Sequence, residues 1–331
     1  MKNCNIAILG ATGAVGREML NVLEEYDIPV SRLKLLSSAR SAGSKIPFRG
    51  EGLTVEEAAD ASFEGMDFVL GAVKSGMSRA FAPAIVKSGA VYIDNSSAFR
   101  MDPAIPLVVP EINGEDAKSN SGIIANPNCS TIQAMVPLKP LQDAYGLKRV
   151  IYSTYQAVSG AGLQGYLDLE NGLRGEAPKK FPHPIAGNCL PHIDVFLDNG
   201  YTKEEQKMID ETRKILSLPE LPVTATTVRV PVFHGHSESI NVEFERPFEL
   251  DALRALLEKA PGLVVMDDPA RELYPMAITA ADTDPVYVGR IRRDFSVQNG
   301  INFWCVADNI RKGAATNAVQ IAEELIRQWE A

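Results

Sequence analysis

The chain has 331 residues, a formal net charge of −9, 45% hydrophobic residues and 23% charged residues. This composition is typical of a globular protein and excludes disordered, collagen-like and disulfide-scaffold classes, while the length predicts two domains. The acidic charge disfavours a nucleic-acid-binding protein, so an anionic substrate would need a local cluster of basic side chains.

The four cysteines, Cys4, Cys129, Cys189 and Cys305, show no paired spacing, and no Cys/His grouping resembles a metal site. This usage fits a reducing cytosol. A predicted strand begins at Asn5, which leaves no room for a signal peptide, and no apolar run reaches the length of a membrane span. We therefore expect a cytoplasmic protein with no metal centre and no nucleic-acid or membrane partner.

The first predicted elements are a buried strand over residues 5–9 and an amphipathic helix over residues 17–26. The turn between them reads Gly-Ala-Thr-Gly-Ala-Val-Gly, a variant of the dinucleotide fingerprint in the strand-to-helix context that the fingerprint requires. Small residues let the backbone approach a pyrophosphate, whose charge the helix N-terminus stabilises. A structural turn would also favour glycine, so the prediction depends on the flanking elements. The candidate cofactor contacts are Gly10, Thr12, Gly13, Ala14, Val15 and Gly16.

The second predicted strand covers residues 34–37. An NAD site usually has an acidic residue about 20 positions beyond the glycines to bind the ribose hydroxyls. Residues 28–50 contain no Asp or Glu, and Arg40 follows the strand between Ser38 and Ser41. A guanidinium group binds the 2′-phosphate of NADP, which a carboxylate would repel, although a solvated surface arginine is the alternative. We predict NADP as the cofactor.

Further strands are predicted at residues 67–70 and 91–93, with a helix at residues 78–88 between them. Strands that alternate with helices predict an α/β fold with a Rossmann-type, doubly wound parallel sheet. We assign residues 1–128 to this NADP-binding domain. A final helix, residues 309–331, is predicted to pack back on it.

Cys129 lies between an apolar run over residues 122–125 and a predicted helix over residues 130–145. The first amide groups of a helix lack intrahelical partners, and the helix dipole adds positive charge there. A thiol at this point ionises more readily than a free cysteine, which makes Cys129 a candidate nucleophile. On position alone, a small apolar core residue is an equal alternative.

The pattern changes after Cys129. Three predicted strands alternate apolar with polar residues, which is typical of antiparallel strands with one solvated face; they cover residues 150–158, 224–230 and 239–245. We therefore predict a second, α+β domain over residues 129–308, and the family resemblance described below implies that it is the catalytic and dimerisation domain.

Seven segments, in order along the chain, together resemble the aspartate-β-semialdehyde dehydrogenase family. They read GATGAVG, SSARSAG, NPNCSTIQ, YQAVSGAG, PIAGNCLPHID, RVPVFHGHSES and DNIRKGAATNAVQ. The resemblance implies NADP-dependent interconversion of aspartate semialdehyde and aspartyl phosphate, with inorganic phosphate as a co-substrate and a thioester on Cys129. It also implies a place in lysine, threonine and methionine biosynthesis, and a homodimer joined through the second domain.

The resemblance assigns catalytic roles to Cys129 as the nucleophile and to His236 as the acid/base residue. His234 is the nearby competitor, and a histidine that only caps a turn is the alternative for His236. Gln156 is expected to position the acyl group beside the cysteine. The residues expected near the nicotinamide are Ser159, Gly160 and Asn309.

The resemblance also assigns substrate contacts. Arg229 corresponds to the clamp for the α-carboxylate, and Glu204 to the acceptor of the substrate ammonium group. Lys207, one helical turn beyond Glu204, would join Arg100 in binding phosphate. An ordinary surface Glu/Lys pair would look the same in the sequence. The segment 73–77 departs from the family pattern, which leaves the cofactor contacts there open.

Three other functions stay open. N-acetyl-γ-glutamyl-phosphate reductase has the same expected fold and thioester chemistry, but its acylated substrate would offer Glu204 no cation. Glyceraldehyde-phosphate dehydrogenase is a weaker alternative because the usual acidic residue for NAD is missing. A non-catalytic NADP-binding paralogue, or a redox sensor that uses Cys129, is disfavoured by the presence of Gln156, Arg229 and His236 together.

Overall fold

The computed structural model describes residues 3–328, in which the chain divides into two units. One unit contains the residues up to Asn128 and those from Ala314 onward, and the other contains Cys129–Gly313. The sequence pattern predicts that the returning helix begins at residue 309, whereas residues 309–313 belong to the second unit. Residues 329–331, the predicted end of that helix, lie outside the described residues.

The strands are β1 (Cys4–Leu9), β2 (Val30–Ser37), β3 (Lys45–Phe48), β4 (Glu51–Glu57), β5 (Phe68–Gly71), β6 (Val91–Asp94), β7 (Ile123–Ala125), β8 (Leu147–Gln156), β9 (Val223–Arg229), β10 (His236–Phe244), β11 (Leu263–Val265), β12 (Val286–Asp294) and β13 (Gly300–Ala307). The helices are α1 (Ala14–Glu25), α2 (Ser75–Lys87), α3 (Pro110–Asn113), α4 (Cys129–Tyr145), α5 (Leu163–Gly172), α6 (Lys203–Ile215), α7 (Leu250–Glu258), α8 (Ala277–Ala280) and α9 (Thr316–Gln328). Within residues 3–328, no helix is long and apolar enough to cross a membrane.

The first unit contains a seven-stranded sheet in the order β3-β4-β2-β1-β5-β6-β7. All neighbouring strands from β4 to β7 run parallel. Ile6 and Ile8 of β1 pack in one apolar cluster, and Ala7 and Leu9 pack in another. Because both faces of β1 are buried, the strand has a continuous apolar sequence. The predicted doubly wound parallel sheet is confirmed.

The sequence pattern does not predict two features of this unit. The hairpin of β3 and β4 lies at the sheet edge, where exposed charged residues and Pro47 weaken the apolar signal of a strand. The final helix α9 begins at Thr316, after a π-helical turn over Arg311–Ala315, and packs against α1. A wide turn of this kind keeps helical hydrogen bonding but shifts the periodicity, so the pattern does not show where α9 begins.

The second unit contains a six-stranded mixed sheet in the order β11-β12-β13-β10-β8-β9. The antiparallel prediction holds for β8 and β10 but is wrong for β9, which runs parallel to β8. The connection between β8 and β9 contains α5 and α6, so it is long enough to return the chain to the same end of the sheet. Alternation of apolar and polar residues reports one solvated face and carries no information on strand direction.

Candidate active site

The glycine-rich turn after β1 in the first unit has the geometry of a dinucleotide-binding turn. Gly10 has a φ of 95°, and a side chain there would place its Cβ 2.5 Å from the carbonyl oxygen of Ala72. A side chain at Gly16 would overlap the carbonyl oxygen of Gly10. Only glycine fits at these two positions. The helix α1 begins directly after Gly13, so its free amide groups can face an anion.

The predicted 2′-phosphate contacts lie beyond the carboxyl end of β2. Thr12 Oγ1 and Ser37 Oγ are 2.9 Å apart, which joins the glycine-rich turn to the end of this strand. The backbone N–H of Ser41 donates to the carbonyl oxygen of Ser38, which closes a turn containing the exposed Arg40. Strand order reverses between β1 and β5, and dinucleotides bind at such a reversal. The residues present therefore fit a dinucleotide.

Arg100, the predicted phosphate contact in the first unit, is buried and held by main-chain oxygens. Its Nε donates to the carbonyl oxygen of Asn126 at 2.9 Å, and its Nη2 donates to that of Asn95 at 2.7 Å. Asn126 lies three residues before Cys129 in the sequence. The guanidinium group is thus fixed to the segment that leads into the candidate nucleophile.

Cys129 is the first residue of α4, as the sequence predicts. A side chain at Gly313 would place its Cβ 2.9 Å from the Cβ of Cys129, so Gly313 leaves room for the thiol. Burial lowers the pKa of Arg229, and the nearby side chains of Glu204 and Cys129 oppose this effect. The cysteine therefore lies within electrostatic range of the predicted carboxylate clamp.

Three predicted site residues meet at one end of the second sheet. Gln156 ends β8 and pairs in register with Arg229, which ends the parallel strand β9, while His236 begins the antiparallel strand β10. The main chain of Ala157 connects two of them: its N–H donates to His236 Nδ1 at 3.0 Å, and its carbonyl oxygen accepts from Arg229 Nη1 at 2.6 Å. The strand directions thus place the ends of β8 and β9 and the beginning of β10 at the same end of the sheet.

His236 is fully buried and uncharged. Burial, reinforced by the positive charge of Arg229, lowers the pKa of His236 to about 3. Because Nδ1 accepts a backbone N–H, the neutral ring carries its proton on Nε2. Within the described part of the chain, Nε2 has no hydrogen-bond partner. The ring therefore presents an N–H donor to whatever occupies the site.

Residues 157–160, which follow Gln156, pack closely against Arg229 and His236. A side chain at Gly160 would place its Cβ 2.9 Å from Arg229 Nη1 and 3.2 Å from His236 Nε2. Ser159 Oγ donates to Asn309 Oδ1 at 3.2 Å, and the same oxygen accepts the N–H of Gly235 at 3.1 Å. The three residues predicted near the nicotinamide therefore belong to one cluster with His236.

A chain of polar contacts joins Gln156 to the helix α6. Gln156 Nε2 donates to Glu204 Oε1 at 3.1 Å, and Lys207 Nζ donates to Glu204 Oε2 at 2.9 Å. Lys207 also donates to Asp194 Oδ2 at 2.9 Å. Burial alone would lower the pKa of Lys207, but the two carboxylates raise it above its ordinary value. Lys207, the predicted phosphate contact, is therefore already paired with two carboxylates.

The second unit thus contains all the predicted catalytic residues and every predicted substrate contact except Arg100; they are Cys129, Gln156, Glu204, Lys207, Arg229 and His236. The predicted cofactor contacts in residues 10–41 and Arg100 belong to the first unit. Sequence reasoning misses Ala157, which acts only through its main chain, and Gly313. A glycine inside a helical pattern was an available signal for Gly313.

Comparison with known proteins agrees with this architecture. Residues 5–120 match the family described as the NAD binding domain of semialdehyde dehydrogenase, and residues 138–312 match its dimerisation domain. The fold and the site therefore define a two-domain semialdehyde dehydrogenase.

Comparison with individual relatives gives a more specific family. The chain is 54% identical over 333 residues to the aspartate-semialdehyde dehydrogenase of Aquifex aeolicus, and 49% identical over 338 residues to that of Bacillus subtilis, with 98% of both chains covered in each case. The chain belongs to the aspartate-semialdehyde dehydrogenase family, as its resemblance predicts.

Solved structures agree with this assignment. Aspartate semialdehyde dehydrogenase II from Vibrio cholerae, complexed with ASA, has a TM-score of 0.95 and 46% identity, with 99% of each chain covered. The enzyme from Candida albicans, solved with NADP, has a TM-score of 0.78 and 26% identity, with 98% of each chain covered.

Proposed function

We propose that the chain interconverts L-aspartate 4-semialdehyde and L-4-aspartyl phosphate, with NADP and inorganic phosphate, through a thioester on Cys129. The observation that carries the proposal is the meeting of Gln156, Arg229 and His236 at one sheet end, with Cys129 in electrostatic range of Arg229. A nucleophile, a proton donor and a carboxylate-binding group are the parts that this chemistry needs.

In the oxidative direction, the Cys129 thiolate adds to the aldehyde carbon and forms a hemithioacetal. NADP, when bound, supplies the hydride acceptor for this chemistry. His236 Nε2–H donates a hydrogen bond to the oxygen that gains negative charge in the tetrahedral adduct. Inorganic phosphate then attacks the thioester carbonyl, aspartyl phosphate leaves, and Cys129 is restored as a thiolate. Biosynthesis uses the reverse sequence.

The charges in the site suit a substrate with a free amino group. Arg229 is buried within electrostatic range of Cys129, and its guanidinium group suits a carboxylate. Glu204 is buried and hydrogen-bonded to Gln156, so it can accept the substrate ammonium group. An N-acetylated substrate would offer this carboxylate no cation, which disfavours N-acetyl-γ-glutamyl-phosphate reductase. Arg100 and Lys207 are the proposed phosphate contacts.

We also propose NADP over NAD as the cofactor. The support is the exposed Arg40 beyond β2, together with the lack of an acidic residue at residues 28–50. Contacts to the nucleotide are assigned to the turn residues 10–16, to Ser38, Arg40 and Ser41, and to Ser159, Gly160 and Asn309.

A homodimer joined through the second unit is the proposed assembly. The match to a dimerisation domain supports it. So does a group of exposed apolar side chains in the second unit. Tyr274 and Met276 line a cavity of about 410 Å³, and the ring of Tyr155 packs against Trp304 of the same lining. Burial of such surface stabilises an interface. Size-exclusion chromatography with light scattering should give twice the chain mass; a monomer at micromolar concentration would contradict this.

The deciding experiment is NADPH formation from aspartate semialdehyde, measured with and without phosphate. We expect sustained turnover only with phosphate and a strong preference for NADP over NAD. N-acetylglutamate semialdehyde is the matched control substrate, and turnover of it in preference to aspartate semialdehyde would support the reductase alternative. Restored growth without lysine, threonine and methionine, in a host that lacks this activity, would test the pathway.

A further inference from the structure

A second layer of polar side chains lies behind the proposed catalytic residues in the second unit. Gln133 is one helical turn beyond Cys129 on α4, and Glu238 is two residues beyond His236 on β10. Residues four apart on a helix, or two apart on a strand, share one face of their element. Each of these two polar residues therefore lies on the same face of its element as a proposed catalytic residue, and both are fully buried.

The second layer contacts the catalytic residues directly. Gln133 Nε2 donates to the carbonyl oxygen of His236 at 3.3 Å. Thr154, the partner of Glu238 on β8, donates from its hydroxyl to Gln156 Oε1 at 3.0 Å. On the other side, Glu238 pairs with Cys305 of β13. Hydrogen bonds from Gln133 and Thr154 therefore connect this layer to His236 and Gln156.

Glu238 is fully buried without a charge partner. Among residues 3–328, no cation pairs with it, and no donor lies in hydrogen-bonding geometry with either of its carboxyl oxygens or with Gln133 Oε1. Tyr152 on β8 and Cys305 on β13 lie within electrostatic range of Glu238, and burial raises the pKa of both, so both are neutral. An isolated carboxylate in such surroundings is strongly disfavoured. The Gln133 side chain is the polar group that interacts with the Glu238 carboxyl, and among the described residues its Oε1 has no hydrogen-bond donor.

We propose that Glu238 is an uncharged carboxylic acid in the folded enzyme, and that its O–H donates to the side-chain oxygen of Gln133. This single proton satisfies both groups. It orients the Gln133 amide so that Nε2 holds the His236 carbonyl, and it joins the helix that begins at Cys129 to the strand that begins at His236. Glu238 is thus a positioning residue.

Burial also raises the pKa of Glu238 well above its ordinary value, and the Gln133 side chain offsets this effect only in part. The positioning role rests on the proposed function, because it assumes catalysis by Cys129 and His236. The protonation state of Glu238 does not depend on the proposed function, so it can be measured whatever reaction the enzyme catalyses.

Infrared difference spectroscopy, wild type minus Glu238→Gln, tests the protonation state near neutral pH. We expect the carbonyl band of a protonated carboxylic acid in the wild type and its loss in the variant. The matched control is Glu243→Gln on the same strand, where the carboxylate pairs with Lys148 at 2.7 Å, so only a carboxylate band should change. A carboxylate band for Glu238 would overturn the proposal.

The pH dependence of the unfolding constant is a second test of the protonation state. If Glu238 served only to fill space in the core, it would not produce this pH dependence. A carboxyl group that stays protonated in the fold loses its proton on unfolding, so rising pH favours the unfolded wild type. Above about pH 5, and for as long as the folded Glu238 stays protonated, the unfolding constant of the wild type should rise about tenfold per pH unit relative to that of Glu238→Gln. A ratio that does not change with pH would reject the proposal.

Steady-state kinetics test the positioning role. Glu238→Gln should keep kcat within about threefold of the wild type, because an amide N–H can replace the O–H donor. Glu238→Leu leaves the Gln133 oxygen without a donor and should lower kcat about ten- to hundred-fold, with little change in the KM for semialdehyde. Equal loss in both variants, or no loss in either, would contradict positioning. If Glu238→Leu does not fold, the spectroscopic and stability results still decide whether Glu238 is neutral.

Discussion

The backbone N–H of Ala157 donates a hydrogen bond to Nδ1 of His236 over 3.0 Å. This contact joins the end of β8 to the beginning of β10 and fixes the tautomer of the ring, because a nitrogen that accepts a hydrogen bond cannot carry the proton. The same residue accepts a hydrogen bond from Arg229 through its carbonyl oxygen. One alanine thus orients the proposed proton donor and the proposed carboxylate clamp.

The buried neutral state of His236 should make the protein sensitive to acid. Its folded pKa of about 3 lies below the ordinary value of 6.5, so the unfolded chain binds a proton that the folded chain excludes between these two values. Stability should fall as the pH drops below about 6.5, and His236→Gln should lose less stability over the same interval. Urea unfolding between about pH 5 and about pH 7 measures this difference. Parallel stability curves for the two proteins would contradict a neutral buried His236.

The four cysteines should differ in their reaction with an alkylating reagent. Burial raises the pKa of Cys4 to about 11 and that of Cys305 well above its ordinary value, so neither should react. Cys189 is exposed and should be labelled whether or not substrate is present. Cys129 should be labelled rapidly and protected by aspartyl phosphate, and Cys129→Ser should lose turnover but keep NADP binding. Peptide mass spectrometry reports each site, and turnover near the wild-type rate in Cys129→Ser would reject the thioester.

A side chain at Gly160 should disturb two proposed active-site residues at once. The added Cβ of Gly160→Ala would lie 2.9 Å from Arg229 Nη1 and 3.2 Å from His236 Nε2. We expect kcat/KM for semialdehyde to fall on the order of a hundred-fold, since small misplacements of reacting groups are costly. Gly114→Ala is the matched control, because its nearest neighbour would be the Glu324 side chain at an ordinary 3.7 Å. Similar kinetics for both variants would show that Gly160 has no such role.

Cofactor choice should depend on Arg40. Loss of a charge-assisted contact to the 2′-phosphate should weaken NADP binding about ten- to hundred-fold in Arg40→Ala, with little effect on NAD. Arg32→Ala removes an exposed arginine from β2 and serves as the control. Fluorescence titration with each reduced cofactor gives the affinities. Equal weakening of both cofactors in Arg40→Ala would mean that Arg40 does not recognise the phosphate group.

The buried residues Arg100 and Arg229 should affect different steps. If Arg100 anchors phosphate, Arg100→Ala should keep a single-turnover burst of NADPH while steady-state turnover falls and the KM for phosphate rises. Arg229→Ala should reduce the burst itself, because the aldehyde would lose its orientation toward Cys129. Rapid mixing separates the two phases, and thermal unfolding checks that each variant is folded, since Arg100 also holds two main-chain oxygens. An unchanged phosphate dependence in Arg100→Ala would exclude the assigned role.

Local patterns predict those parts of the structure that depend on neighbours in the sequence. The turn at Gly10 and the start of α4 at Cys129 are set by backbone requirements of a few consecutive residues, and apolar runs of β1 report burial on both faces. The direction of β9 cannot be predicted in this way, because parallel and antiparallel strands share the same alternation. The hydrogen bonds that involve the main chain of Ala157 cannot be predicted from residue types either, because any residue other than proline at this position has the same N–H and carbonyl groups.

By itself, the sequence determined the doubly wound nucleotide unit, the family and the chemical identity of the proposed nucleophile, proton donor and carboxylate clamp. These follow from residue types and short spacings. Three other findings come from the folded structure alone: Nδ1 of His236 is an acceptor, Lys207 is shared by two carboxylates and, among residues 3–328, no cation pairs with Glu238. Each of these depends on strand pairing between distant segments, which sets the solvation and the hydrogen-bond partners of a buried group and through them its charge.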